Sequence, residues 1–181
     1  MATVGRVTGE LTILTGPPAV GKTTVAAELA GSAARPTVHL VTDGFYRSIR
    51  TGFVLPFLPE AADQNRVVVD AIVATATTFA RGGYDVVVDG IIGPWFLPPF
   101  RAAAVTLSYV VLRSALRVTL DRARRRRGEE LTDVGAITGL HGAFAELGEL
   151  ERHVIDTTDL DVGATVAAVR RAVSSGEYRL A

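Results

Sequence analysis

The 181-residue chain is 48% hydrophobic, carries 19 Lys and Arg against 19 Asp and Glu, and contains no Cys. That size accommodates one α/β domain rather than two, and the balanced charge gives no overall attraction to nucleic acid or anionic lipid. Without Cys, disulfides, thiolate catalysis and Cys-ligated zinc are excluded, and His39, His141 and His153 are too scattered to suggest a metal cluster. Met1 to Gly9 lack the apolar core of a signal peptide, and no apolar run approaches the roughly 20 residues that span a bilayer, so a cytoplasmic location is the simplest expectation.

Leu11 to Thr15 reads as a buried strand that turns sharply into a helix, and the turn Gly16-Pro17-Pro18-Ala19-Val20-Gly21-Lys22-Thr23 has the spacing G-x-x-x-x-G-K-T. This is a phosphate cradle: Gly16 and Gly21 let the backbone curl so that successive N–H groups face an anion. Ala19, Val20 and Thr24 complete it, Lys22 reaches outer phosphates, and Thr23 offers a hydroxyl to Mg²⁺. The helix that follows adds a partial positive charge of roughly half a unit. A P-loop binding a nucleotide is the expectation, because the motif has the strand before it and the helix after it that the mechanism needs.

The helix from Lys22 is expected to end near Gly31-Ser32, before Pro36. Thr37 to Thr42 is a second, β-branched strand running into Asp43-Gly44, read as a tight turn. Gly52 to Pro59 reads as an apolar loop, and about Glu60 to Arg81 as a long amphipathic helix with Val68, Ile72, Thr75 and Phe79 on its inner stripe. Asp85 to Gly90 is a strand covered on both faces, and Ile91 to Phe100, rich in Pro and aromatic residues, reads as a loop that walls a pocket.

Val105 to Leu112 is the fourth strand, and Ser114 is the expected cap of a helix ending in Arg122-Ala123-Arg124-Arg125-Arg126-Arg127. Residues 132–150 read as a helix softened by glycines, His153 to Thr157 as the last strand, and Val162 to Val173 as a closing helix with a surface tail from Ser174. Strands alternating with helices predict an α/β three-layer sandwich on a parallel sheet, one domain over residues 1–181 with a basic lid at about 122–133.

Ligands of open parallel sheets sit at the carboxyl ends of the strands, where Asp43 and Asp89 both fall. Asp43 is placed to accept a proton from a substrate hydroxyl, although an Asp-Gly pair also serves a turn. Asp89 suits Mg²⁺ or an acceptor hydroxyl, and sequence does not separate the two. Arg47 or Arg50 would orient an acceptor or stay solvated, and a charge run such as 122–127 is often just a solvated helix face.

The P-loop, Asp43-Gly44, the strand ending in Asp89, the arginine run and Val154-Ile155-Asp156-Thr157 together resemble the P-loop small-molecule kinases. These include chloramphenicol phosphotransferase and the shikimate, gluconate and adenylylsulfate kinases, with the tunicamycin resistance protein and zeta toxins as more distant relatives. The resemblance implies a nucleoside-monophosphate-kinase-like fold with a five-stranded sheet of order 2-3-1-4-5, and ATP with Mg²⁺ as donor. It also implies Asp43 as base, Arg122 against adenine, Arg126 on the transferred phosphoryl group, and the loop at Asp156 and Thr157 near the base.

The regions 46–65 and 91–100 match none of that group's substrate motifs. With the adjoining Phe45 they supply Tyr46, Phe53, Phe57, Trp95, Phe96 and Phe100, with Arg47, Gln64 and Asn65 as polar contacts. A hydroxylated, partly apolar small molecule such as an antibiotic is therefore the expected acceptor, unless these aromatics are core beneath a long loop. No nucleic acid or membrane partner is expected, and a monomer or homodimer is. The competing readings are a nucleotide or nucleotide-sugar kinase of zeta-toxin type, and a protein that sequesters its ligand without phosphorylating it.

Overall fold

Strand β1 (Leu11–Thr15) is buried along its whole length, as an apolar and β-branched run must be when helices cover both faces of a sheet. The computed structural model describes residues 8–125 and 133–180 and places β1 at the centre. Around it lie β2 (Thr37–Val41), β3 (Asp85–Asp89), β4 (Leu107–Arg113) and β5 (Val154–Asp156). The five strands are parallel in the order β2-β3-β1-β4-β5, the expected one.

Alternate residues of each strand face opposite layers. Leu11, Ile13, Val86, Val88, Tyr109 and Val111 pack under α3 (Ala62–Arg81) and α4 (Leu97–Ala102), through Val68, Ile72, Ala76 and Phe100. Leu14, Val87, Val110 and Leu112 pack against α1 (Lys22–Gly31) and α7 (Val162–Ser175), through Val25, Ala26, Val166 and Val169. The result is the three-layer sandwich that the alternation of strands and helices requires.

Several local expectations are corrected. Asp43-Gly44 forms no tight turn: both residues lie inside α2 (Thr42–Arg47), where an acid in the first turn suits the helix dipole. Residues 91–100 are not a loop throughout, since a 3-10 turn at Pro94–Phe96 leads into α4. The prolines that look like breakers sit at the starts of these helical segments, where a missing N–H costs nothing. The inner stripe of α3 is Val68, Val69, Ile72, Ala76 and Ala80, while Thr75 lies only half-buried. Phe79 is 37% exposed and pairs edge-on with Tyr84.

Further corrections fall in the last third of the chain. Ser114 does not cap α5 (Leu116–Arg124); its hydroxyl is buried against Thr119 Oγ1 at 2.9 Å. The helix expected over 132–150 is two elements, α6 (Val134–Ala143), capped by Asp133, and a 3-10 stretch at Gly148–His153. The tail lies on the surface as expected, yet it is hydrogen-bonded to the sheet. Because β5 covers only the end of β4, Tyr109 and Leu107 find partners in Tyr178 O and Leu180 N, each at 2.9 Å.

Candidate active site at the carboxyl ends of the strands

The turn between β1 and α1 curls because its backbone enters conformations that few residues adopt. Gly16 has φ 137°, and a Cβ there would stand 2.0 Å from the carbonyl oxygen of Leu112 on β4. Gly21, at φ 91°, would project a Cβ into open space. Ala19 holds a left-handed φ of 62° without being glycine, a conformation that costs about 1–3 kcal/mol and must be held by its surroundings. Those surroundings are Ala123 of α5 and Ile137 of α6, with which it forms a small buried cluster. Val20 is buried in the α1 layer, and Thr24 is exposed on the first turn of α1.

Lys22 is largely buried, and its ammonium donates to the carbonyl of Pro17 at 2.7 Å, folding back across the turn it follows. Thr23 Oγ1 donates to Asp89 Oδ1 at 3.1 Å, which joins the start of α1 to the end of β3. Asp89 is 1% exposed. Its other oxygen, Oδ2, lies 2.6 Å from His39 Nε2 on β2. Mg²⁺ prefers one or two protein oxygens plus phosphate and water to an all-protein cage, and a hydroxyl beside a carboxylate at a phosphate cradle fits that preference. Among the described residues no group of three His, Cys, Asp or Glu could hold a metal ion by itself.

Asp43 lies one residue beyond the β2–β3 joint. Thr42 packs so closely on Gly90 that a Cβ at Gly90 would fall 1.9 Å from Thr42 Oγ1. Asp43 and Asp89 therefore flank the same junction, on neighbouring strand ends. Asp43 is exposed, and its charge adds to burial in pushing the Tyr46 hydroxyl up to about 12. Arg47, the last residue of this short helix, and Arg50, three residues beyond it, are both exposed.

Between α2 and α3 runs a groove of about 480 Å³ lined by Phe45, Ile49, Gln64, Val67, Val68 and Ala71 among others, almost wholly apolar. One charged side chain, Asp63, borders it. The polar contacts expected of its neighbours are otherwise engaged. Gln64 grips the loop through both backbone groups of Val54, at 2.8 and 2.7 Å, and Asn65 Nδ2 donates to Pro56 O at 2.8 Å. Asn65 Oδ1 is buried without a hydrogen-bond partner. The loop so held carries Phe53, 45% exposed.

Trp95 is not part of that groove. Its indole covers Gly93 and meets Phe144, at the end of α6, edge-on at 5.9 Å. It is nevertheless 49% exposed.

On the opposite flank, Arg122 Nη2 donates to Thr157 O at 3.3 Å, bringing together two segments expected to share a role. Asp156 accepts from Thr158 N at 2.8 Å and from Thr158 Oγ1 at 2.6 Å, and these donors hold its carboxyl below the usual range. Arg126, with the remainder of 126–132, lies outside the described residues. The sequence reading placed Ala19 in the cradle without its left-handed backbone, and it missed His39. For His39 a signal existed, since it stands on a strand two residues before the carboxyl end, level with the strand that ends in Asp89.

Comparison with known proteins follows the same lines. No curated protein matches the sequence. The fold is similar to that of the tunicamycin resistance protein of Deinococcus radiodurans, with TM-score 0.71, 18% identity, and coverage of 91% of this chain and 95% of that one. It is similar to an APS kinase of Mycobacterium tuberculosis solved with AMPPNP and APS, with TM-score 0.69, 18% identity, and coverage of 92% and 98%. A gluconokinase of Sinorhizobium meliloti 1021 gives TM-score 0.62, 19% identity, and coverage of 95% and 93%. At such identities the likeness is one of fold. A family model described as an AAA domain matches residues 13–135, more than half of the chain and from within β1 through the arginine run, so the chain belongs to that P-loop family.

Proposed function

We propose that the protein is an ATP-dependent O-phosphotransferase whose acceptor is a small molecule with a hydroxyl group and an apolar body. The observation that carries this is the Thr23–Asp89 pair at the mouth of the P-loop, with Asp43 two residues beyond the end of the neighbouring strand. The kinase-type function is supported by the fold shared with gluconokinase and APS kinase.

When bound, ATP with Mg²⁺ supplies the phosphoryl group and spreads its negative charge. The cradle from Gly16 to Thr24 directs backbone N–H groups at the phosphates, and Lys22 exchanges the Pro17 carbonyl for a phosphate oxygen. Thr23 and Asp89 hold the cation. Asp43 would orient the acceptor hydroxyl and take its proton as that oxygen bonds to the γ-phosphorus and the bond from this phosphorus to the bridging oxygen breaks, ADP leaving with that oxygen. Arg122 and the loop at Thr157 flank the nucleotide base.

The acceptor's apolar body lies in the groove between α2 and α3, where Asp63 disfavours an anion. Asp43→Ala should lower turnover by about 10²–10⁴-fold while nucleotide affinity stays unchanged. ADP release measured over a panel of hydroxylated acceptors, with the product identified by mass spectrometry, reads both. Undiminished turnover in Asp43→Ala would remove the base. Ligand binding without any phosphorylated product would replace transfer by sequestration.

A further inference from the structure

His39 stands in β2 directly opposite Val87 of β3. Residues two apart on a strand share a face, so Asp89 is the next residue beyond Val87 on that face. Val87 packs in the α1 layer, the layer that also carries Thr23. The register therefore brings a ring from the edge strand to the carboxylate from the side opposite the P-loop.

Both side chains are largely withdrawn from water, His39 at 19% exposure and Asp89 at 2%. An aspartate carboxylate offers only acceptors, so the ring nitrogen donates: Nε2–H to Oδ2, at 2.6 Å. The remaining oxygen, Oδ1, takes the Thr23 hydroxyl at 3.1 Å. A carboxylate torsion is broad, so without a donor fixing one oxygen the carboxylate plane can rotate and carry the other oxygen away from the P-loop.

We infer that His39 is a positioning residue for the cation site: its Nε2–H holds Asp89 Oδ2 so that Oδ1 stays turned towards Thr23 and the phosphate cradle. The inference rests on the reading of Thr23 and Asp89 as the cation pair. Outer partners of metal-binding groups typically contribute about 10–100-fold in metal affinity. A histidine that merely satisfied a buried carboxylate would change stability and leave cation affinity alone.

The test measures Mn²⁺ binding to the full chain by electron paramagnetic resonance, with a non-hydrolysable ATP analogue and no acceptor, so that no turnover is needed. His39→Leu removes the donor at similar bulk. His39→Gln sets an amide N–H near the Nε2 position, and His39→Asn, whose amide falls short of Asp89, serves as a polar variant if the leucine chain does not fold. We expect Leu or Asn to weaken Mn²⁺ binding by about 10–100-fold, and Gln to restore it towards the wild-type value. Metal-free affinity for the analogue should be the same in all. Wild-type Mn²⁺ affinity in the Leu or Asn variant overturns the inference, as does an equal loss in the Gln variant. A wild-type chain that binds no more Mn²⁺ than the free analogue overturns the cation pair together with it. Failure to find an acceptor for the proposed transfer leaves this measurement untouched.

Discussion

Two glycines of one motif are required for different reasons, and the difference is measurable. At Gly16 the obstacle is the backbone of a neighbouring strand, 2.0 Å from where a Cβ would lie. Main-chain atoms of a central sheet cannot move aside cheaply, so Gly16→Ala should destabilise the fold by about 2 kcal/mol or more. At Gly21 nothing lies within 4 Å, and only the backbone conformation resists a side chain. Gly21→Ala should cost about 1–2 kcal/mol and reduce nucleotide affinity, because a backbone that relaxes away from the left-handed region turns the cradle's N–H groups off the phosphate. Urea denaturation paired with nucleotide titration separates the two: a larger stability loss at Gly21 than at Gly16 would contradict this account. The motif spacing made both glycines legible in sequence. Neither the strand at Gly16's back nor the strain at Ala19 was legible, because both depend on what packs there from 90 or more residues away.

At the level of elements, α3 shows how periodicity alone misplaces a side chain. Val68 and Ile72 lie on the buried stripe, as their spacing predicts, yet the stripe continues through Ala76 and Ala80 rather than Thr75 and Phe79. The helix packs so closely on the sheet that small residues occupy its last two turns, and the large Phe79 is turned outwards onto Tyr84. Ile72→Ala should cost about 2–5 kcal/mol, the range for truncating a fully buried aliphatic side chain. Phe79→Ala should cost far less, about 1 kcal/mol, since it loses an exposed edge-on contact rather than core volume. Chemical denaturation of both variants reads the contrast, and equal losses would return Phe79 to the core. The elements that follow strands were harder still. Asp43-Gly44 and the prolines of 94–99 carry turn chemistry locally, but the same residues also start helices, and only the sheet they leave decides between these uses.

Across the whole molecule, His153 ties together segments that sequence leaves apart. It is fully buried, its Nδ1 lies 2.9 Å from Tyr109 O on β4, and its ring meets Tyr109 and Tyr178 edge-on. Burial first, and the neighbouring Arg152 and Arg101 charges with it, hold its pKa below the ordinary 6.5, against hydrogen bonds to the Tyr109 and Tyr178 backbones. The unfolded chain therefore binds a proton near pH 6.5 that the folded chain refuses. The stability His153 contributes is complete above that pH and declines as the pH falls below it, by up to about 1.4 kcal/mol per pH unit. Denaturation midpoints of wild type and His153→Leu should converge between pH 7 and pH 5. A constant difference over that interval would show that the histidine takes up its proton as readily folded as unfolded.

The sequence by itself determined the phosphate cradle, the alternation of strands and helices, and the aspartates at the end of β3 and just beyond β2. Each is written in local patterns: the spacing of two glycines and a lysine, runs of β-branched residues, and an aspartate closing each run. The tertiary structure alone decided which of these residues meet. Asp89 turns to Thr23 because β3 lies beside β1, and His39 reaches Asp89 because β2 lies beside β3 in a register that levels it with Val87. The C-terminal tail folds back because β5 is too short to cover β4. Pairing between strands far apart in the chain obeys the geometry of the assembled sheet, and a strand's own sequence carries no record of which neighbour will stand at its edge.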